Sequence, residues 1–128
     1  MSEIWLNLPM PPSLNNAFPT SKTGRRFKSS RYKAWSEEAG WELKRYLKGA
    51  GLRGPVRLLY AFNEKETRAD LGNLEKPVTD LLVTHGVIDG DSKRVVRGIQ
   101  LEWGTEGGVA VTVSPAALRA GRVREEGV

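Results

Sequence analysis

The chain contains no cysteine and only one histidine, His85. The lack of cysteine excludes disulfides, thiolate metal sites and cysteine nucleophiles. A single histidine excludes a histidine-rich zinc site and makes a serine–histidine–aspartate triad a poor explanation of any activity. The sequence has no apolar run of membrane-spanning length and no signal-peptide pattern. We therefore expect a cytoplasmic protein without a membrane partner.

Aspartate is confined to one stretch, which begins at Asp70, ends at Asp91 and holds all four aspartates of the chain. The chain as a whole is basic, with a net charge of +5 and a pI near 9.7. Carboxylates gathered in one segment of a basic protein indicate a hard-cation site that faces a polyanion. Aspartate also caps helices and forms turns, and this structural interpretation stays open for each residue taken alone.

Length and hydrophobic periodicity predict one domain over residues 1–114, followed by a flexible C-terminal tail over residues 115–128. We predict an α/β (α+β) fold in the order β-α-β-α-β-β, with a small mixed sheet and two packed helices. The predicted strands cover residues 4–8, 56–63, 95–103 and 109–113. The last two form a hairpin around Gly104–Gly108.

The first predicted helix begins at Ser29 or Ser30 and runs to about Lys48. Its buried stripe consists of Trp35, Ala39, Leu43, Tyr46 and Leu47. The second helix is capped by Asn73 and ends at Gly86, with Leu74, Val78, Leu81 and Leu82 on its buried face.

Basic and amide side chains gather in the loop over residues 13–30 and at the start of the first helix. They could lie along a phosphate backbone, and a solvated loop and helix face is the open alternative. The candidate DNA-binding residues are Asn15, Asn16, Lys22, Arg25, Arg26, Lys28, Arg31 and Lys33.

Asp70 and Asp91 flank the second predicted helix, so both could lie at one end of the sheet. Two carboxylates with waters and a phosphate oxygen would complete an octahedral Mg²⁺ shell, and the ion would activate a water. Lys76, in the first turn, could stabilise charge that develops on a phosphate. Asp80 is placed to pair with Lys76 at i, i+4. A small metal-dependent phosphatase and an unrelated basic domain remain alternatives.

The run Asp70-Leu-Gly-Asn73-Leu-x-Lys76-x-x-x-Asp80-Leu-Leu, followed by Gly86 and Asp91, resembles the RusA family of Holliday-junction resolvases. The segment Leu8-Pro-x-Pro-Pro-Ser-Leu-Asn-Asn16 is similar to the family's N-terminal motif. The resemblance extends from about Ile4 to Val113.

This resemblance implies a RusA-like fold and a Mg²⁺-dependent homodimeric endonuclease, bacterial or phage-encoded, in which Mn²⁺ can replace Mg²⁺. Such an enzyme resolves four-way DNA junctions by paired symmetric nicks in recombination and repair, and needs no small-molecule cofactor. The implied catalytic residues are Asp70, Lys76 and Asp91. The implied metal ligands are Asp70 and Asp91, and the supporting motif positions are Asn73 and Asp80.

Two glycines depart from the family pattern. Gly72 stands where the second catalytic aspartate is expected, and Gly90 stands where the first aspartate of an Asp-Asp pair is expected. Asp89, shifted by one position, is therefore a substitute metal ligand. The alternative function is a junction-binding protein that is catalytically weakened or inactive because Gly72 lacks a carboxylate.

Overall fold

The computed structural model describes residues 3–47 and 50–116. Its four strands are β1 (Ile4–Leu8), β2 (Val56–Asn63), β3 (Val96–Gly104) and β4 (Val109–Pro115). Its helices are α1 (Leu14–Ala17), α2 (Ser30–Leu47) and α3 (Glu75–Thr84), and two 3-10 turns cover Glu64–Glu66 and Leu71–Asn73. The predicted α+β class is confirmed, and α1 adds a short helix within the predicted basic loop.

The strands form one mixed sheet in the order β1-β4-β2-β3. β2 pairs parallel with β3, whereas β4 pairs antiparallel with both β1 and β2. α3 connects β2 to β3, as a parallel pair requires a crossover. Alternate residues of β1, β2 and β4 are buried, so the helices cover one face of the sheet.

The predicted hairpin between the last two strands is wrong, because β2 lies between β3 and β4. The reason is burial: Val109, Val111 and Val113 are almost fully buried, whereas Gln100 and Glu102 are exposed on the edge strand β3. The connection between the strands passes the end of β2 instead of making a hairpin turn, and the Asn63 amide donates to the Gly108 carbonyl at 3.0 Å.

The core is one cluster between the sheet and the two longer helices. Its largest fully buried side chains are Tyr60, Phe62, Leu8, Leu43, Leu74, Leu81, Leu82 and Ile88. The predicted buried face of α3 is confirmed, as is the helix end at Gly86, where φ is +70°.

The helix ends show where local rules succeeded and failed. The Ser29 hydroxyl caps α2 by accepting from the Tyr32 amide at 3.0 Å, as predicted. Asn73 does not cap α3, because it closes the preceding 3-10 turn and the cap position falls on Leu74. The prediction that Tyr46 belongs to the buried stripe of α2 is wrong, since Tyr46 is 57% exposed. Periodicity sets the direction of a side chain but does not place a partner opposite it.

The predicted tail begins inside β4, where Pro115 is paired with Val56. Residues 117–128 of that tail lie outside the described residues, as does Lys48 at the predicted end of the first helix. Within the part of the chain that the structure describes, no helix is long and apolar enough to cross a membrane.

Candidate active site

Asp70 precedes the 3-10 turn Leu71–Asn73 and is exposed. Its carbonyl accepts from the Asn73 amide at 3.0 Å, whereas its carboxylate makes no capping hydrogen bond. The turn packs against β3 and α3, which fixes the backbone that carries the carboxylate. Asp70 therefore presents to solvent an acidic group that the turn itself does not use.

Gly72 lies in the same turn and is also exposed. A Cβ built at this position would meet nothing within 4 Å, and Gly72 is not among the glycines with positive φ. Neither packing nor backbone conformation therefore demands glycine here. The position lacks a carboxylate but has room for one.

Lys76 lies in the first turn of α3, where its ammonium is held from two sides. Its Nζ is 3.4 Å from Asp80 Oδ2, the i, i+4 pair that the sequence indicates. The same Nζ lies 5.9 Å from the centre of the Phe18 ring. Both Lys76 and Asp80 are partly exposed, so this ion pair orients the ammonium more than it stabilises the fold.

Asp89 and Asp91 follow α3 and have different surroundings. Asp89 Oδ1 accepts from the Arg53 guanidinium at 2.7 Å, and Oδ2 accepts from the Gly54 amide at the same distance. Both oxygens of Asp89 thus join the loop after α3 to the loop before β2, which competes with a role as metal ligand. Asp91 is exposed and forms no ion pair with any described residue.

Among residues 3–47 and 50–116, no three histidine, aspartate or glutamate side chains are grouped to hold a metal ion. Among the four aspartates of the candidate stretch, Asp70 and Asp91 are exposed and form no ion pair with a described residue, whereas Asp80 and Asp89 are paired. Mg²⁺ commonly uses one or two protein carboxylates and keeps several waters. Asp70 follows the carboxyl end of β2 and Asp91 precedes the amino end of β3, which are opposite ends of this parallel pair, so the strand topology does not by itself bring the two carboxylates together.

A buried hydrogen-bond chain, which the sequence interpretation missed, reaches the start of α3 from the core. The Tyr60 hydroxyl is 2.8 Å from Thr79 Oγ1, and Thr79 donates to the Glu75 carboxylate. Burial, the largest cause, raises the pKa of Tyr60, so the phenol stays protonated and donates. The chain fixes the first turn of α3 on β2, next to Lys76. Nothing in the sequence marks this hydrogen-bond chain, because it depends on the tertiary contact between α3 and β2.

The basic loop folds back onto the start of α3. Thr20 and Arg26 form an isolated β-bridge, and the Phe27 amide donates to the Pro19 carbonyl at 3.2 Å. One groove of about 480 Å³ is lined by Leu14, Phe18, Arg26, Phe27, Lys28 and Lys76. The structure thus brings two predicted DNA-binding cations beside the predicted catalytic lysine, from about 50 residues away in the sequence.

Two other candidate residues, Asn16 and Arg31, line a separate groove of about 880 Å³ that reaches Ala69, next to Asp70. Lys65 and Arg68 also line this groove, and the sequence interpretation missed both. Their proximity to Asp70 in the sequence was the available signal.

The other four predicted DNA-binding residues line neither of these two grooves. Lys33 lines a third groove together with Trp41, Lys44 and His85. The remaining three, Asn15, Lys22 and Arg25, are exposed.

Tyr32 lies between the basic loop and α3. Its ring centre is 4.8 Å from that of Phe18, and Lys28 Nζ is 6.0 Å above it. Burial, and then the negative charge of Asp80, raises the pKa of Tyr32, so its hydroxyl remains neutral beside the Lys76–Asp80 pair. The aromatic contacts hold the loop cations at this position.

The comparisons with known proteins place this chain in a class of DNA-cleaving enzymes. The family model described as endodeoxyribonuclease RusA matches residues 9–114, which include every candidate residue named above. Because the match covers most of the 128 residues, the chain belongs to the RusA endodeoxyribonuclease family. The resemblance read from the sequence motifs is confirmed. No curated protein matches the chain.

Proposed function

We propose that the chain is a Mg²⁺-dependent homodimeric endonuclease that resolves four-way DNA junctions by paired symmetric nicks. It would act in DNA recombination and repair in the bacterial cytoplasm, encoded by either the bacterium or a phage. The observation that carries the proposal is the RusA family match, which covers the stretch from Asp70 to Asp91. The grouping of Lys76 with Arg26 and Lys28 on one groove supports it.

Asp70 and Asp91 are the proposed metal ligands, since both are exposed and form no ion pair with a described residue. Mg²⁺, or Mn²⁺ in its place, would polarise the scissile phosphate and lower the pKa of a bound water. Lys76 would stabilise negative charge on the phosphate, together with the N-terminus of α3. Asp80 orients this ammonium, and Asn73 closes the turn that carries Asp70.

The proposed DNA surface extends to both sides of Asp70. Arg26 and Lys28 lie on the groove that contains Lys76, and Arg31 and Arg68 lie on the groove that reaches Ala69. Phosphate contacts of this kind position DNA without reading its sequence. A homodimer would present two such surfaces to a four-way junction, whose symmetry matches a two-fold axis.

A specific observation favours a second candidate, a junction-binding protein that is catalytically weakened or inactive. Gly72 contributes no donor to the site, and no third acidic side chain is grouped with any two others in the described residues. Such a protein would retain the basic surface and the affinity for branched DNA.

The test is incubation of the purified protein with a synthetic four-way junction and with a linear duplex of the same sequence, in Mg²⁺, Mn²⁺ or EDTA. The proposed function predicts paired nicks on the junction only, and only with a divalent ion. Tight junction binding without nicks would support the non-catalytic candidate. The absence of both junction binding and cleavage would contradict both candidate functions.

A further inference from the structure

We propose that the groove lined by Leu14, Phe18, Arg26, Phe27, Lys28 and Lys76 binds a single unpaired nucleotide of the DNA substrate. The inference rests on the proposed function, because a four-way junction offers bases that can unstack at its crossover. The base would stack against Phe27, and the flanking phosphates would face the three cations.

The lining of the groove combines apolar and cationic side chains. Three lining side chains are apolar and three are cationic, and none is acidic. A ligand that complements this surface has a flat apolar body and a negative charge, which describes a nucleobase with its phosphate. The volume of about 480 Å³ lies within the range of about 300–1,000 Å³ that is typical of small-molecule pockets.

Phe27 presents an exposed ring on a hydrogen-bonded backbone. Its side chain is 49% exposed, although its backbone is fixed by a hydrogen bond to Pro19. A phenyl ring held at the surface on a fixed backbone is suited to stacking, because little conformational entropy is lost when a base binds.

Each of the three cations in the groove is positioned by a contact with the surrounding protein. Arg26 Nη1 donates to the Phe18 carbonyl at 2.6 Å, and Lys28 lies above the Tyr32 ring. Lys76 keeps its contact with Asp80, the one carboxylate that pairs with a lining cation within the described residues. Single-stranded nucleic acids bind to just such combinations of aromatic platforms and positive charge.

The experiment uses four-way junctions that carry one 2-aminopurine at each crossover position in turn, bound by the full-length protein in Ca²⁺ or EDTA. Fluorescence of 2-aminopurine rises when the base leaves the stack. We expect the wild type to raise it at one crossover position. Phe27→Ala should at least halve this rise and weaken junction binding about tenfold, with linear-duplex affinity unchanged within about twofold.

Two variants control the experiment. Phe27→Tyr retains the ring and should behave like the wild type, which distinguishes loss of stacking from loss of fold. Tyr46→Ala removes a similarly exposed aromatic from the last turn of α2 and should change neither measurement.

Normal junction binding with no fluorescence rise at any crossover position would overturn the inference, as would an unchanged rise in Phe27→Ala. In both cases the proposed function would stand. Failure of the wild type to bind junctions at all would contradict the proposed function itself and the inference with it.

Discussion

The two flanks of α3 use their charged side chains in opposite ways. Before the helix, Asp70 is exposed and forms no ion pair with described residues, and in the first turn Lys76 forms an ion pair only with Asp80 among them. After the helix, Asp89 is bonded to Arg53 and Gly54, and the His85 ring packs so closely on Gly40 that a Cβ there would come within 2.8 Å of Nε2. We therefore propose a chemical role for Asp70 and Lys76 and an architectural role for Asp89 and His85.

The largest effect expected from this comparison is at Asp70. Asp70→Asn should lower junction cleavage by at least about 100-fold, because it weakens a proposed metal ligand, while junction affinity and stability stay near wild type. Cleavage assays, gel-shift binding and thermal unfolding measure the three properties. Wild-type cleavage by Asp70→Asn would show that the first flank does not hold the metal.

Lys76 tests whether the ammonium acts beyond its ion pair. Lys76→Ala should lower cleavage by about 100-fold, as loss of a group that stabilises transition-state charge commonly does. Asp80→Asn, the matched control, removes the partner but retains the ammonium and should change the rate only a few fold. Equal losses in the two variants would assign the effect to the pair instead of the cation.

Gly72→Asp tests the missing carboxylate directly. The position has open space around it, so we expect stability to change by no more than about 0.5 kcal/mol. Cleavage at limiting Mg²⁺ should rise by about tenfold, since the site gains an oxygen donor. An unchanged rate would contradict the idea that the missing carboxylate limits cleavage.

Asp89→Asn sharpens the contrast on the second flank. It should lower the free energy of unfolding by about 0.5–1 kcal/mol, because it weakens a partly exposed ion pair with Arg53. Urea unfolding measures the change. Cleavage should remain within a few fold of wild type. The opposite pattern, normal stability with lost cleavage, would make Asp89 a metal ligand.

The smallest effect concerns His85. Burial, and secondarily the positive charge of Lys44, lowers the pKa of His85, so the folded state resists protonation. The unfolded chain takes up this proton near pH 6.5, and the stabilising contribution is therefore lost as pH falls below that value. The wild type should lose more melting temperature between pH 7.5 and 5.5 than His85→Gln does. Equal losses would contradict the assigned pKa shift.

Local sequence patterns predicted a large part of the fold and some of the site. The strands Ile4–Leu8 and Val56–Asn63, the buried face of α3 and the Lys76–Asp80 pair all follow from periodicity over a few residues. The motif from Asp70 to Asp91 also predicted the family that the comparison with family models identifies.

Contacts between distant segments could not be read in the same way. Arg53 engages Asp89 from 36 residues away, and Phe27 lines one groove together with Lys76 because the basic loop folds back onto the start of α3. Each contact depends on which loops the completed sheet brings together, a property that no short window of sequence contains.

The sequence by itself determined which segments are helix or strand and which side of each is apolar, since these depend on spacing along the chain. Only the tertiary structure decided that β4 lies between β1 and β2 while β3 takes the edge. The same packing left Asp70 exposed and engaged both carboxylate oxygens of Asp89 in hydrogen bonds. The physical reason is that strand order and side-chain partners result from competition for burial across the whole molecule.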